Sequence, residues 1–436
     1  MKTFTKLFLP AIAVLSLATA CNRGDDDPTP VSTDNELLPD GSVISGDISA
    51  NTKLGKGFTY TLTGGVHVKP GYTLTIEEGV TVKSDPDEPA TAYLLIEPGA
   101  KIMAEGTKEK PIVFTSGKAN PAHQDWGGII LCGKAPVNVQ GGTSASEMGA
   151  GVTYGGNDAN DNSGVLRYVR TEYTGKKQTT TKEHNGFTFE GVGAGTTVEY
   201  IAVYKGGDDG IEFFGGTVNA KYLFVYGAQD DMFDWTYGWS GKGQFWVGIQ
   251  GDDVADRGFE ADNSGSNNAA TPYSNPTISN VTLVGSTLAK TGDDPNTATE
   301  TGKTRALKLR EGTKAKLHNF VVYNFNSGVE VEHDQTLLNM EDGSLGIRNS
   351  DIYNAKLWSF KKTGGANYEG ANRFTEEGYM NDAQAAATPS YITGKYIGTN
   401  ATGAVSPTSL DSWFTNASYK GAVQSGNDWT AGWTRK

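Results

Sequence analysis

Val198-Glu199-Tyr200-Ile201-Ala202-Val203-Tyr204 is followed by Ala220-Lys221-Tyr222-Leu223-Phe224-Val225-Tyr226, with each residue of the first stretch 22 positions (220 − 198) before its counterpart. Both stretches alternate with period two, the pattern of a half-buried strand. Asp208-Asp209 follows the first and Asp230-Asp231 the second, and Asp252-Asp253 stands at the next step of 22 (252 − 230). A fixed period in the low twenties marks one supersecondary unit stacked on itself. The unit holds several short strands and no helix pattern. The expected fold is therefore all-β, a right-handed parallel β-helix forming a single solenoid.

Weaker copies of the strand occur at Leu166 to Tyr173, Ile278 to Val284, Leu317 to Tyr323 and Ile347 to Tyr353. Nearer the N-terminus come Tyr60 to Thr63, Tyr72 to Ile76, Tyr93 to Ile96 and Ile112 to Thr115. Their uneven spacing predicts loops inserted into coils, Ala289 to Lys303 among them. Length alone would suggest two or three domains, but a solenoid grows by adding coils and overrides that prior.

The first residues carry Lys2 and Lys6, an apolar run from Leu7 to Leu17, and Ala18-Thr19-Ala20-Cys21. This is the layout of a cleavable export signal, too short to span a membrane. Residues 1–20 are read as the signal and Cys21 as a lipidation site that anchors the chain to a membrane. Residues 21–41, with Asp25-Asp26-Asp27 and a Pro- and Ser-containing stretch from Pro28 to Asp40, read as a flexible acidic tether. Residues 42–436 form the β-helix domain. The one other cysteine, Cys132, lies in Ile129-Ile130-Leu131-Cys132 and reads as a buried packing residue.

The formal net charge is −13. That argues against nucleic acid as a partner, and against anionic glycans recruited by bulk charge. It suits cations or neutral ligands.

Several stretches carry a resemblance. They are Gly106-Thr107-Lys108-Glu109-Lys110-Pro111-Ile112-Val113-Phe114-Thr115-Ser116, Trp126-Gly127-Gly128-Ile129, Asp161-Asn162-Ser163-Gly164-Val165-Leu166-Arg167-Tyr168-Val169, Gly207-Asp208-Asp209-Gly210 and Asp428-Trp429-Thr430-Ala431-Gly432-Trp433. From about Ser42 to the C-terminus the chain resembles a family of Bacteroidota β-helix lipoproteins, more broadly similar to pectate-lyase-like folds. The resemblance implies a β-helix at the outer-membrane cell surface and no established activity. The acidic run after Cys21 is similar to the surface-export signal of such lipoproteins. No spanning helix or barrel pattern in the body supports a transport role.

Three constellations can carry chemistry. The first is the ladder Asp208, Asp209, Asp230, Asp231, Asp252 and Asp253. Stacked carboxylates must be screened, protonated or bridged by a cation, and Ca²⁺ with its six to eight oxygen ligands is the expected one. The competing reading is a row of turn-forming residues. In the second, if Ile211, Phe233, Phe259 and Val329 point inward, alternation sends Glu212, Asp234, Glu260, Lys308 and Glu330 outward on one face. With Arg310 these form a candidate glycan-binding or glycan-cleaving surface; the alternative is a solvated face of compensating charges. The third is aromatic: Tyr200, Tyr204, Tyr222 and Tyr226 facing out, with Trp235 close by, as stacking platforms for a glycan. Loops or the C-terminal segment could instead cover these rings. Asp158 to Asn162 lacks the glycine and closing glutamate of a Ca²⁺ loop, and the five histidines show no ligand spacing. The leading reading is a surface lipoprotein that binds a glycan or other large ligand, with Ca²⁺, beside an outer-membrane transporter or complex. The rivals are a polysaccharide lyase or glycoside hydrolase built on Glu212, Asp234, Glu260, Lys308 and Arg310, and a structural or adhesive surface protein.

Overall fold

The computed structural model describes residues 35–436 apart from 149–150, 180–181, 292–299, 302–303, 354–358, 371–372, 380 and 385–387. The export signal, Cys21 and Asp25 to Asp27 lie outside the described residues.

A single coil shows how the sequence makes the fold. Thr197–Tyr204 is followed by Ile211–Phe214, and the chain then repeats as Asn219–Tyr226 and Phe233–Thr236. Val198 pairs with Ala220, Ile201 with Leu223 and Ile211 with Phe233, all in parallel. Ile201, Val203, Ile211 and Phe213 point inward and are fully buried. The long sheet runs on through Lys242–Ile249, Thr277–Val284 and Ala315–Tyr323 in the same manner. Every pairing in it is parallel, as a right-handed parallel β-helix requires.

Each coil has three sides because the longer strand bends at one residue. In successive coils that residue is Tyr168, Tyr200, Tyr222, Phe245, Asn280, Asn319 and Asn349, and each has φ between 50° and 61°. The left-handed region costs a non-glycine residue roughly 1 kcal/mol, and asparagine tolerates it best. At the next corner the chain passes too close to its neighbour for a side chain: a Cβ on Gly210 would lie 2.6 Å from the Met232 carbonyl oxygen.

Two additions cover parts of this frame. The segment 133–163, with its small hairpin of Ser144–Ala145 against Thr153–Tyr154, packs over Ile130 and Cys132. The C-terminal residues from about 389 onward run back along the bend column as a strap. Tyr396, Ala422, Val423 and Trp433 cluster there on Ala202, Phe224, Val247 and Val321. Among the described residues no helix is long and apolar enough to cross a membrane.

The coil register corrects the acidic ladder. Phe233 stands opposite Phe259, a step of 26 (259 − 233) rather than 22. Four extra residues in this coil displace Asp252 and Asp253 to an exposed turn. The rung above Asp230-Asp231 is therefore Asp256-Arg257. An arginine stands where the period promised an aspartate.

Candidate functional site

Glu212, Asp234, Glu260, Lys308 and Glu330 form one outward column, each in register with the next. Asp209, Asp231 and Arg257 form a second column one turn earlier in each coil. The second acid of each pair has a structural duty. Asp209 Oδ1 accepts the Asp231 N–H at 2.9 Å, and Asp231 Oδ1 accepts the Arg257 N–H at 2.8 Å, so each ties down the turn of the next coil.

The two columns converge. Carboxylate oxygens of Asp209, Glu212 and Asp234 lie within 4.8 Å of one another, as do those of Asp208, Asp209 and Asp230, of Asp231, Asp234 and Glu260, and of Asp230, Asp231 and Asp256. Buried acidic clusters of this kind can hold metal ions. Charge compensation reaches only the upper end. Arg257 Nη1 lies 3.2 Å from Asp231, 3.0 Å from Asp256 and 3.2 Å from Glu260. Arg310 binds Glu260 at 2.6 Å and Asp262 at 2.8 Å. Neither guanidinium forms an ion pair with Asp208, Asp209, Glu212 or Asp234, although Arg310 is close enough to Asp234 to feel its charge. Glu212 accepts one hydrogen bond from Asn185 Nδ2 at 2.6 Å, and the buried Asn185 Oδ1 has no partner. Asp234 Oδ1 is buried without one as well.

Burial with little counter-charge fixes the protonation states. Desolvation first, then neighbouring carboxylates, push Asp209, Glu212 and Asp234 well above the usual carboxylate range. Asp262 is raised by burial to about 7 although Arg310 pulls it down. Without a cation these groups share protons; with one they would ionise around it.

Glu212 and Asp234 open into a cleft of about 310 Å³, walled by Tyr237, Asp262, Arg310 and Glu311. Lys308 is 3.5 Å from Glu332, and Glu330 is 3.0 Å from Lys361, so the far end of the column is a chain of ion pairs.

The aromatic residues stand elsewhere, and the expectation of free ring faces does not hold. Tyr168, Tyr200, Tyr222 and Phe245 stack on one another with centroids 4.3, 4.2 and 4.9 Å apart, so their faces are occupied. Trp429 and Trp433 then pack against Tyr200 at steep angles. Tyr204 and Tyr226 stack at 5.7 Å under Arg435 and Lys395. Trp235 is fully buried, because it shares the inward parity of Phe233. Asp252 accepts the Ser286 hydroxyl at 2.7 Å, and with Asp253 it lines a separate pocket beside His123 and Lys205. Cys132 is buried and donates its thiol hydrogen to Glu190.

Asp256, Arg257, Asp262 and Asn185 were missed as site residues. Asn185 leaves a sequence signal, since it precedes Gly186 as Asp209 precedes Gly210. Arg257 leaves none until the four-residue insertion is known.

No curated protein and no solved structure matches the chain. A family model described as a pectate-lyase-like β-helix domain matches residues 46–434. That match spans nearly all of the described solenoid and its strap, and the chain belongs to the family of pectate-lyase-like β-helix domains.

Proposed function

We propose that the protein binds a glycan through a divalent cation, Ca²⁺ by its all-oxygen donor set, held at the floor of the acidic cleft. One observation carries the reading: Asp209, Glu212 and Asp234 converge within 4.8 Å, and among the described residues none of them is ion-paired to an arginine or lysine. Three carboxylates would supply about half of the oxygens Ca²⁺ takes and leave positions for ligand hydroxyls. Binding is favoured over elimination chemistry because the candidate bases are engaged, Arg310 by Glu260 and Asp262 and Lys308 by Glu332. The pattern from Lys2 to Cys21 and the run Asp25 to Asp27 support anchoring by lipid at the outer-membrane surface, beside a transporter or complex of that membrane.

Calorimetric titration of the full chain with Ca²⁺ should show saturable binding that Asp234→Asn weakens at least about tenfold. A wild-type protein that takes up no Ca²⁺ at millimolar concentration would sink the reading. For the anchor, acyl labelling that persists in Cys21→Ser would do the same.

A further inference from the structure

Away from the cleft, the strap leaves a slot of about 260 Å³ over the aromatic column. Its floor is Tyr200, Tyr222 and Phe245, one wall is Trp429, and Gln424 and Asn427 stand at the rim. Because the floor rings are stacked face to face, the slot meets their edges and hydroxyls rather than their faces. The phenols of Tyr168, Tyr200 and Tyr222 stand side by side along the stack. Trp429 is held in place by its indole N–H, which donates to the Ala422 carbonyl at 2.9 Å. Gln424 and Asn427 are exposed amides, each able to donate and accept. No Asp, Glu, Lys, Arg or His lines the slot, which sets it apart in a chain of net charge −13.

We propose that this slot binds one uncharged sugar residue of a glycan. The volume is below the roughly 300–1,000 Å³ of sites for drug-sized ligands and matches a single ring. An ionic ligand would lose hydration there and find no counter-charge. A sugar offers what the lining complements: hydroxyls for the amides and phenols, and a C–H face for the fixed indole. The site needs no cation and does not depend on the acidic cleft.

The test uses the full chain in EDTA, titrated with gluco-, manno-, xylo- and galacto-oligosaccharides and with oligogalacturonate. Calorimetry and tryptophan fluorescence provide the readouts. At least one neutral series should bind saturably, and Gln424→Ala/Asn427→Ala should weaken it about tenfold through loss of the rim hydrogen bonds. Both residues are exposed, so the melting temperature of the double variant should stay at the wild-type value. Oligogalacturonate should not compete. The proposal is overturned if no neutral series binds, if the double variant binds as wild type does, or if oligogalacturonate displaces the neutral sugar. Asp234→Asn should leave this binding unchanged. Sugar binding that is lost in Asp234→Asn and kept in the rim variant would reject the slot and leave the cleft standing.

Discussion

At the bend column, Asn280, Asn319 and Asn349 each donate an amide N–H to a carbonyl of the strap: Tyr419 at 2.6 Å, Val405 at 2.9 Å and Gly403 at 2.9 Å. Gln244 does the same to Thr415 at 2.8 Å. One side further round the same solenoid, Asp209, Glu212 and Asp234 crowd together with no side-chain ion pair among the described residues. The two regions share backbone, register and rise. At the bends, the side chains are neutral, and the amides among them are bonded to the chain's own strap. In the cleft, the groups are charged or protonated according to what the solvent supplies. A buried polar group costs little when paired and several kcal/mol when not. The bend column is thus held by the chain's own hydrogen bonds, and the cleft is the region whose charge state an outside cation can change.

The largest effect is expected where the strap is locked. Asp351 is buried and receives Lys420 Nζ at 2.6 Å, the Tyr391 hydroxyl at 2.5 Å and Asn400 Nδ2 at 2.9 Å. Asp351→Ala strands a buried lysine, a change that costs about 3–5 kcal/mol. Urea unfolding should show that loss. A loss below about 1 kcal/mol would mean that the strap is not closed in solution, and the contrast between the regions would fail.

A smaller effect of opposite sign is expected in the cleft. Asp234 is driven toward its protonated form in the fold but ionises freely when unfolded, so Asp234→Asn in EDTA at pH 8 should gain on the order of 1 kcal/mol. The folded pKa of these acids is raised, so they contribute stability that is fully present below the unfolded value. That contribution is lost as pH rises through the folded value. For Asp262 the window runs from 3.8 to about 7. His184 and His318 work the other way. Burial holds them at about 3 and about 4, so their contribution is present above the unfolded 6.5 and lost as pH falls. Both proteins keep these groups, so the difference between wild type and variant isolates Asp234: the variant's advantage at pH 8 should shrink toward pH 5. Ca²⁺ should reverse it by stabilising the wild type alone. Thermal melts at the two pH values, with and without Ca²⁺, check each sign.

The solenoid was legible because Val198 to Tyr204 and Ala220 to Tyr226 belong to consecutive coils with no insertion between them. The outward column was legible for a similar reason: Ile211, Phe233 and Phe259 announce their inward parity, and Glu212, Asp234 and Glu260 follow. The strap was legible only as the alternative that the C-terminal segment covers the tyrosines, since it has no strand alternation and its contacts run to side chains at the bends. A signal for it existed. Asn280, Asn319 and Asn349 stand third in the strands Ile278, Leu317 and Ile347 begin, where Tyr168 and Tyr200 stand third after Leu166 and Val198. Aligned, those strands form one column that changes from tyrosine to asparagine, and a left-handed bend explains both.

The smallest effect belongs to the acids that period alone placed on the ladder. Asp253 is exposed, and the four-residue excess of its coil keeps it out of the convergent clusters. If the register governs the site, Asp253→Asn should change stability by no more than about 0.5 kcal/mol, the usual range for an exposed substitution. It should also leave the Ca²⁺ response of the wild type intact, while Asp234→Asn weakens it. The two variants remove the same charge from the same chain, so a general effect of net charge would treat them alike. Equal losses of the Ca²⁺ response would point to diffuse attraction by an acidic surface; a loss confined to Asp234→Asn would require a site with the geometry of the cleft.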